Sequence, residues 1–364
     1  MKIGLFGGAF NPPHVEHQKV IDVAKSALNL DKVIVFPSYY PPHKRTSDST
    51  PFDLRVKMCQ IAFENEQIST IEQQDDYINY AVENVKKFKE IYPHDTLYYI
   101  IGGDSMADLF TWYKPEELLK MVQLVVYPRD GRWLDMTVAI QKAEKLGAKI
   151  TLLDIVSSNI SSAEIRYLAS LGVSLDGLVV SGVEKIILDT LPYTVPEIQL
   201  LNSRLTERVY NHSVRTAVWA LKLNRKLALP TSEVFKASFL HDIAKQDCST
   251  IGVPDDAIDS PVAHQFRGAK ILEDLGYDSS VVDAVRYHTT GCENMTTLQK
   301  LVFVADMTEQ GRKYDGVDEL RHALLLDFED GFRKCIARTY EFLLKKGSDI
   351  YYLTKDAYLY YINK

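Results

Sequence analysis

Cysteine is scarce in this chain, and long hydrophobic runs are missing. The four cysteines, Cys59, Cys248, Cys292 and Cys335, are widely spaced and form no C-x-x-C pair. That excludes a disulfide framework and reads as reduced thiols in a cytoplasmic protein. No apolar run approaches the ~20 residues of a membrane span, and no signal-peptide pattern precedes the first strand, so neither membrane nor export is expected. Positive charge is in deficit: 42 Lys and Arg face 49 Asp and Glu, for a net charge of −7. Such a balance argues against a general nucleic-acid binder, local basic pockets aside. Internal repeats and low-complexity linkers are also lacking. What remains is ordinary for a globular protein, with 25% charged and 46% hydrophobic residues. At 364 residues the chain exceeds what one core normally supports, so two domains are expected.

The densest signal lies at the start, where Gly4 to His17 reads GLFGGAFNPPHVEH. The apolar run Ile3 to Phe6 predicts a buried strand that breaks at Gly7 and Gly8. Asn11-Pro12-Pro13, His14 and His17 follow, and helical periodicity is clear at Val20, Ile21, Val23 and Ala24. Glycines let a phosphate approach the backbone, and a helix start offers unpaired N–H groups and a positive dipole end. Two histidines three apart place imidazole donors on one side of the first turn. The competing reading is a tight turn with two surface histidines. A glycine pair alone would fit it, but glycines, Asn-Pro-Pro and paired histidines together point to a phosphate-handling site.

Further segments fit the same reading. Tyr40-Pro41-Pro42-His43-Lys44 follows a predicted strand at Val33 to Phe36. Gly102-Gly103-Asp104-Ser105 ends another at Leu97 to Ile101, and Pro128-Arg129 ends a third at Val122 to Tyr127. Asn159 to Arg166 reads NISSAEIR, in which hydroxyls can cap a helix and an arginine one turn in can fork onto phosphate oxygens. Together these segments resemble the nucleotidylyltransferase superfamily, and within it the bacterial nicotinate-nucleotide adenylyltransferases. The resemblance implies a Rossmann-like α/β fold that binds ATP with Mg²⁺ and adenylylates nicotinate or nicotinamide mononucleotide. It assigns His14 and His17 to the triphosphate and transition state, and Lys44, Ser161, Ser162 and Arg166 to phosphates. Asp104 would contact the nucleoside and Trp112 the nicotinate ring, with Gly7, Gly8, Phe10, Gly102 and Arg129 completing the substrate contacts.

Three positions depart from that family. Glu16 replaces a motif glycine, so its side chain turns outward, coordinates Mg²⁺ or weakens activity. Ala163 replaces a threonine. The acceptor segment reads Tyr77-Ile78-Asn79-Tyr80, without the arginine that usually precedes it.

A second series fills the later chain. His212 is followed by His241-Asp242, His264, His288 and Asp306, taking four of only nine histidines. Each falls in a helical pattern: Val209 to Leu223, Val234 to Ala244, Val262 to Leu272, Ser280 to Tyr287 and Thr297 to Met307. Imidazoles and carboxylates converging in a helical bundle suit a metal site. His322, beside Arg321, reads as a satisfied core or surface histidine and not a ligand. The adjacent His241-Asp242 in an apolar stretch is different, because burying both polar groups without metal is costly.

This spacing resembles the HD-domain metal phosphohydrolases, and the flanking segments HDIAK, YHTTG and ADMTEQGR resemble the bacterial HD hydrolases that split diadenosine tetraphosphate symmetrically (YqeK-like). By that resemblance His212, His241, Asp242 and Asp306 hold one metal, His264 and His288 complete a second, and the metals are iron or manganese. Lys245 and Arg312 would meet substrate phosphates; for Lys245 a solvated helix-end lysine is an equal alternative.

The expected architecture is an α/β Rossmann-like nucleotidylyltransferase domain over 1–195, followed by an all-α HD-domain helical bundle over 196–364, with the boundary near Leu191 to Pro196. The tyrosine-rich end, Tyr351 to Tyr361, reads as a packed terminal helix, with a homodimer contact left open. Two alternatives stay open: a degenerate nucleotide-binding module attached to an active hydrolase, and an active adenylyltransferase with a structural HD domain.

Overall fold

The computed structural model describes residues 1–39, 50–71, 80–128 and 133–362. The chain divides into two compact units, Met1–Thr194 and Val195–Lys364. In the first, strands β1 (Lys2–Gly8), β2 (Lys32–Pro37), β3 (Gln67–Ile68), β4 (Thr96–Gly102), β5 (Gln123–Tyr127) and β6 (Ile150–Leu152) form one parallel sheet in the order β3-β2-β1-β4-β5-β6. Helices α1 (Val15–Leu28), α2 (Phe52–Ala62), α3 (Ala81–Ile91), α4 (Gly103–Ala107), α5 (Pro115–Met121), α6 (Trp133–Lys145), α7 (Ser162–Ser170) and α8 (Ser181–Thr190) accompany it.

The strands are apolar at nearly every position because both sheet faces are covered. Ile3, Leu5, Ile34, Phe36, Leu97 and Tyr99 enter one core. Their alternates Phe6, Val33, Val35, Tyr98 and Ile100 enter the other. The chain runs from β1 to one edge and returns to β4 on the opposite side of β1. That reversal opens a crevice beyond the C-terminal ends of β1 and β4, where open parallel sheets bind ligands.

Gly7 is required there for close packing. It pairs in register with Phe36 on β2, and a Cβ at residue 7 would lie 2.5 Å from the Phe36 ring. The glycine at the end of β1 therefore admits a core ring from the neighbouring strand.

Among its described residues the second unit holds helices and no strand: α9 (Pro196–Asn202), α10 (Glu207–Leu227), α11 (Thr231–Leu240), α12 (Ala263–Asp274), α13 (Ser279–Arg286), α14 (Thr297–Thr308), α15 (Val317–Leu326), α16 (Phe328–Lys346) and α17 (Tyr352–Ile362). Its core buries Trp219, Phe235, Phe239, Val281, Leu301 and Phe332. Tyr358 and Tyr361 of the terminal helix pack inward, while Tyr352 is exposed. Tyr358 stacks on Tyr340 at 4.1 Å, Tyr361 meets Phe332 edge-on, and the Met295 N–H donates to the Tyr361 hydroxyl at 2.6 Å. Among the described residues, no helix is long and apolar enough to cross a membrane.

The helical period over-ran one pair of candidate ligands. Val234 to Ala244 reads as one helix, yet α11 stops at Leu240 and His241-Asp242 lie in the turn beyond it. The Ser280 to Tyr287 pattern, by contrast, stops before His288, and α13 ends at Arg286, two residues before that histidine. At each helix end the histidine ring bonds a carbonyl three residues upstream, Ser238 O for His241 and Val285 O for His288.

Gly7→Ala should destabilise the first unit by about 1–3 kcal/mol through overpacking against Phe36. Denaturant unfolding of the full chain measures it, and a second change, Phe36→Leu, should recover part of the loss.

Candidate functional sites

In the first unit, the β1–α1 turn and the end of β4 frame a cavity of about 490 Å³. Gly7, Gly8, Gly102, Asp104 and Trp112 line it, as do Tyr80 and Tyr113, whose rings stack at 4.4 Å. Asp104 sits in the first turn of α4, and a Cβ on Gly102 would fall 2.4 Å from its Oδ1. The second glycine motif therefore gives room to that carboxylate.

His14 caps α1 and His17 lies in its first turn, their rings stacked at 3.6 Å. The His14 backbone N–H donates to His17 Nδ1 at 3.1 Å. In the neutral ring that bond leaves the proton of His17 on Nε2, as a donor. Phe10 is placed differently from the expectation of a substrate contact. Its side chain is buried among Phe6, His17 and Phe63, and its backbone takes φ +44°, uncommon for a bulky residue. Burial of the ring holds the turn in that conformation.

The serine-rich segment braces the same turn. Ser161 accepts from the Glu164 N–H as the cap of α7, Ser162 Oγ donates to Pro12 O at 2.9 Å, and Arg166 Nη1 donates to Asn11 O at 2.7 Å. Tyr193 adds a bond from its hydroxyl to Asn11 Oδ1 at 3.0 Å. Arg55 on α2, unnoticed in the sequence, is buried and gathers four carbonyls. It donates to Ala9 O (2.7 Å), Ser38 O (2.8 Å), Tyr39 O (3.2 Å) and Thr50 O (3.1 Å), joining the chain beyond β1 to the chain beyond β2. Nothing in its spacing marks it, since it reads as an ordinary helix arginine. Lys44, Arg129 and the Tyr77-Ile78-Asn79 segment lie outside the described residues.

The second unit brings all six candidate ligands together. His212 Nε2 lies 3.2 Å from His241 Nε2 and 2.9 Å from Asp306 Oδ1. His264 Nε2 lies 3.2 Å from His288 Nε2, and Asp242 Oδ1 sits 3.3 and 3.4 Å from those two nitrogens. Ligand atoms about 2.1 Å from one ion stand about 3.0–3.4 Å apart, so these separations suit shared metals.

The ring orientations make the same case. His241 Nδ1 is 2.8 Å from Ser238 O, His264 Nδ1 2.8 Å from Pro261 O, and His288 Nδ1 2.7 Å from Val285 O. Each carbonyl is three residues upstream and takes an Nδ1–H. In the neutral rings, His264 and His288 then face each other with two Nε2 lone pairs, an arrangement that calls for a cation. Asp242 Oδ1, buried, accepts no hydrogen bond, which also fits a metal ligand. Burial pushes His241 down to about 3, keeping it neutral. Burial opposes ionisation of Asp306, but His212, His241 and Arg312 outweigh it and hold the carboxyl well below the usual range.

Two cations lean into the cluster. Lys245 Nζ is 3.0 Å from His264 Nε2 and 3.3 Å from Asp242 Oδ1, and Arg312 Nη2 donates to Asp306 Oδ1 at 2.6 Å. His212 is oriented by a carboxylate instead of a carbonyl. Its Nδ1 is 3.2 Å from Glu309 Oε1, a buried group that also accepts from Arg215 Nε at 2.7 Å and from the Gly311 N–H. Burial raises Glu309, but these donors bring it down to about 2. Gln265 is equally hidden: its buried amide accepts from the Thr289 and Thr290 N–H groups, holding the turn after His288. Gln265 carries no local signal, and Glu309 stands out only as part of the ADMTEQGR segment.

A glycine-rich turn at the switch point of a parallel sheet and a helical cluster of imidazoles and carboxylates define a nucleotidyltransferase-like unit joined to an HD-type unit. Residues 5–168 match the cytidylyltransferase-like family and 209–311 the HD domain, a metal-dependent hydrolase class. Similar curated proteins include a probable nicotinate-nucleotide adenylyltransferase of Pelobacter propionicus, 32% identical over 53% of this chain and 99% of that protein. Another of that name, from Geobacter sulfurreducens, is 33% identical over 51% of this chain and 95% of that protein. A solved structure from Clostridium acetobutylicum, described as a "predicted HD superfamily hydrolase involved in NAD metabolism", is 30% identical over 46% of this chain and 95% of that one, with a TM-score of 0.43. The chain belongs, through its first half, to the nicotinate-nucleotide adenylyltransferase family.

Removing the carboxylate behind a metal-bound imidazole typically costs 10–100-fold in metal affinity. Glu309→Gln should show that loss for Mn²⁺ or Fe²⁺ by metal titration, with His241→Ala losing more. Added metal should also raise the thermal midpoint of the wild-type chain, by mass action on the folded state.

Proposed function

We propose that the chain is a bifunctional nucleotide enzyme. Residues 1–195 transfer the adenylyl group of ATP to nicotinate or nicotinamide mononucleotide, and residues 196–364 hydrolyse diadenosine tetraphosphate symmetrically to ADP. The observation that carries the first reading is the pair of stacked histidines beside the glycine turn, in a chain that covers 99% of a protein named for this reaction. The mononucleotide phosphate attacks the α-phosphorus, a new P–O bond forms, and the bond to pyrophosphate breaks. No covalent enzyme intermediate is needed, so alignment and charge neutralisation supply the rate. His17 has its Nδ1 occupied by the His14 N–H, which suits its Nε2–H to a phosphate oxygen. Mg²⁺ accompanies the ATP. Trp112 and the stacked Tyr80 and Tyr113 give the cavity an aromatic wall suited to a pyridine ring. Lys44, Ser161, Ser162 and Arg166 serve the phosphates in this reading, the last three also bracing the turn.

In the second unit, His212, His241, Asp242 and Asp306 would hold one transition metal and Asp242, His264 and His288 a second, iron or manganese. Such ions supply Lewis-acid polarisation and water activation toward a phosphoanhydride. Lys245 and Arg312, already beside the donors, offer their charges to substrate phosphates, and Asp242 and Asp306 hold those cations in place.

Chromatographic product analysis of the full chain tests both halves. With Mn²⁺ or Fe²⁺, diadenosine tetraphosphate should give ADP alone; with Mg²⁺ and ATP, one of the two mononucleotides should give the dinucleotide and pyrophosphate. His14→Ala should lower the second rate by about 10²–10³-fold while leaving the first intact. ADP without any dinucleotide would leave the first unit a binding module, and a dinucleotide without ADP would leave the second structural.

A further inference from the structure

We infer that Glu16 is a positioning residue for the triphosphate end of the first unit's site, pinning the segment that enters α7 against the paired-histidine turn. This deepens the adenylylation reading above and rests on it. A carboxylate at this motif position would repel a polyphosphate if it faced one. Instead the side chain is buried and turned onto the segment before α7. It accepts from Ser158 Oγ at 2.8 Å, from the Ser158 N–H at 3.3 Å and from Ser157 Oγ at 3.3 Å.

Lys19 follows on the same helix and donates from Nζ to Val156 O at 2.5 Å. Three residues beyond Ser158, Ser161 caps α7, and Ser162 and Arg166 bond back to Pro12 and Asn11. The segment over 156–166 is thus attached to the stretch over 11–19 at two separate places. Either attachment alone would leave the segment free to pivot about it. Both together fix the start of α7 relative to His14 and His17 before a ligand arrives, so less ordering remains to be done on binding. A glycine at position 16 has no group with which to make the first attachment. Here the carboxylate and the Ser157-Ser158 pair make it together.

The test uses the full chain with Glu16→Ala, Glu16→Gln, Ser158→Ala and the double variant Glu16→Ala/Ser158→Ala. Steady-state kinetics and a calorimetric titration with Mg-ATP are read beside the thermal midpoint. Glu16→Ala and Ser158→Ala should each weaken ATP, in KM and in titration, by about tenfold. The mononucleotide KM and the thermal midpoint should stay near wild type, and Glu16→Gln, whose amide oxygen still accepts, should recover most of the loss. The double variant should be no worse than the poorer single one, because both remove the same contact. Additive effects, unchanged ATP affinity, or equal weakening of both substrates with a lower midpoint would overturn the inference. Should the wild type form no dinucleotide, the adenylylation reading falls, while the ATP titration still decides the role of Glu16.

Discussion

Both sites depend on backbone polar groups left over where a helix or strand stops. A helix cannot satisfy its last carbonyls or its first N–H groups internally, and something must bond to them. In the second unit imidazole rings are among the takers: Ser238 O and Val285 O, near the ends of α11 and α13, each hold an Nδ1–H, Val285 O beside the capping N–H of Tyr287. For His241 and His288 that contact turns the opposite nitrogen inward, while Pro261 O does the same for His264 and the Glu309 carboxylate for His212. Four Nε2 atoms and two carboxylates then converge, although their residues are spread over nearly a hundred positions.

The first unit uses the same currency in the other direction. There the carbonyls of the turn after β1, at Ala9, Asn11 and Pro12, receive donors from Arg55, Arg166 and Ser162. The turn cannot brace itself, since it consists of glycines, prolines and a phenylalanine at positive φ. Three side chains from elsewhere hold its carbonyls and Tyr193 its Asn11 side chain, with Phe10 buried beneath. The glycine that opens the turn answers to packing, because Phe36 occupies the space its side chain would need. Electrostatics divides the two sites as well. The first gathers donors suited to anions, and the second an electron-rich donor set that already draws in Lys245 and Arg312.

Much of this was legible beforehand. Strands stood out because a sheet covered on both faces needs apolar residues at successive positions. The ligand set stood out because histidine is rare and His241-Asp242 sits in an apolar stretch. Helix ends were less visible: periodicity carried the pattern of α11 through Ala244, although the helix ends at Leu240 and His241 is its C-cap. Arg55 and Gln265 were not marked at all, and Glu309 only as one member of a quoted segment, since its ring partner lies 97 residues away and carries no local pattern. Glu16 read as an anomaly until its partners at Ser157 and Ser158 were placed.

The sequence by itself determined the alternation of apolar strands and amphipathic helices, the glycine turn and the identities of the candidate ligands, because these follow from local preference and residue chemistry. Tertiary structure alone decided which way each ligand faces and what holds it. A ring nitrogen turns inward only when a carbonyl or carboxylate takes the other one, and Glu16 turns from the site only because two serine hydroxyls, 141 and 142 residues later, are brought within reach.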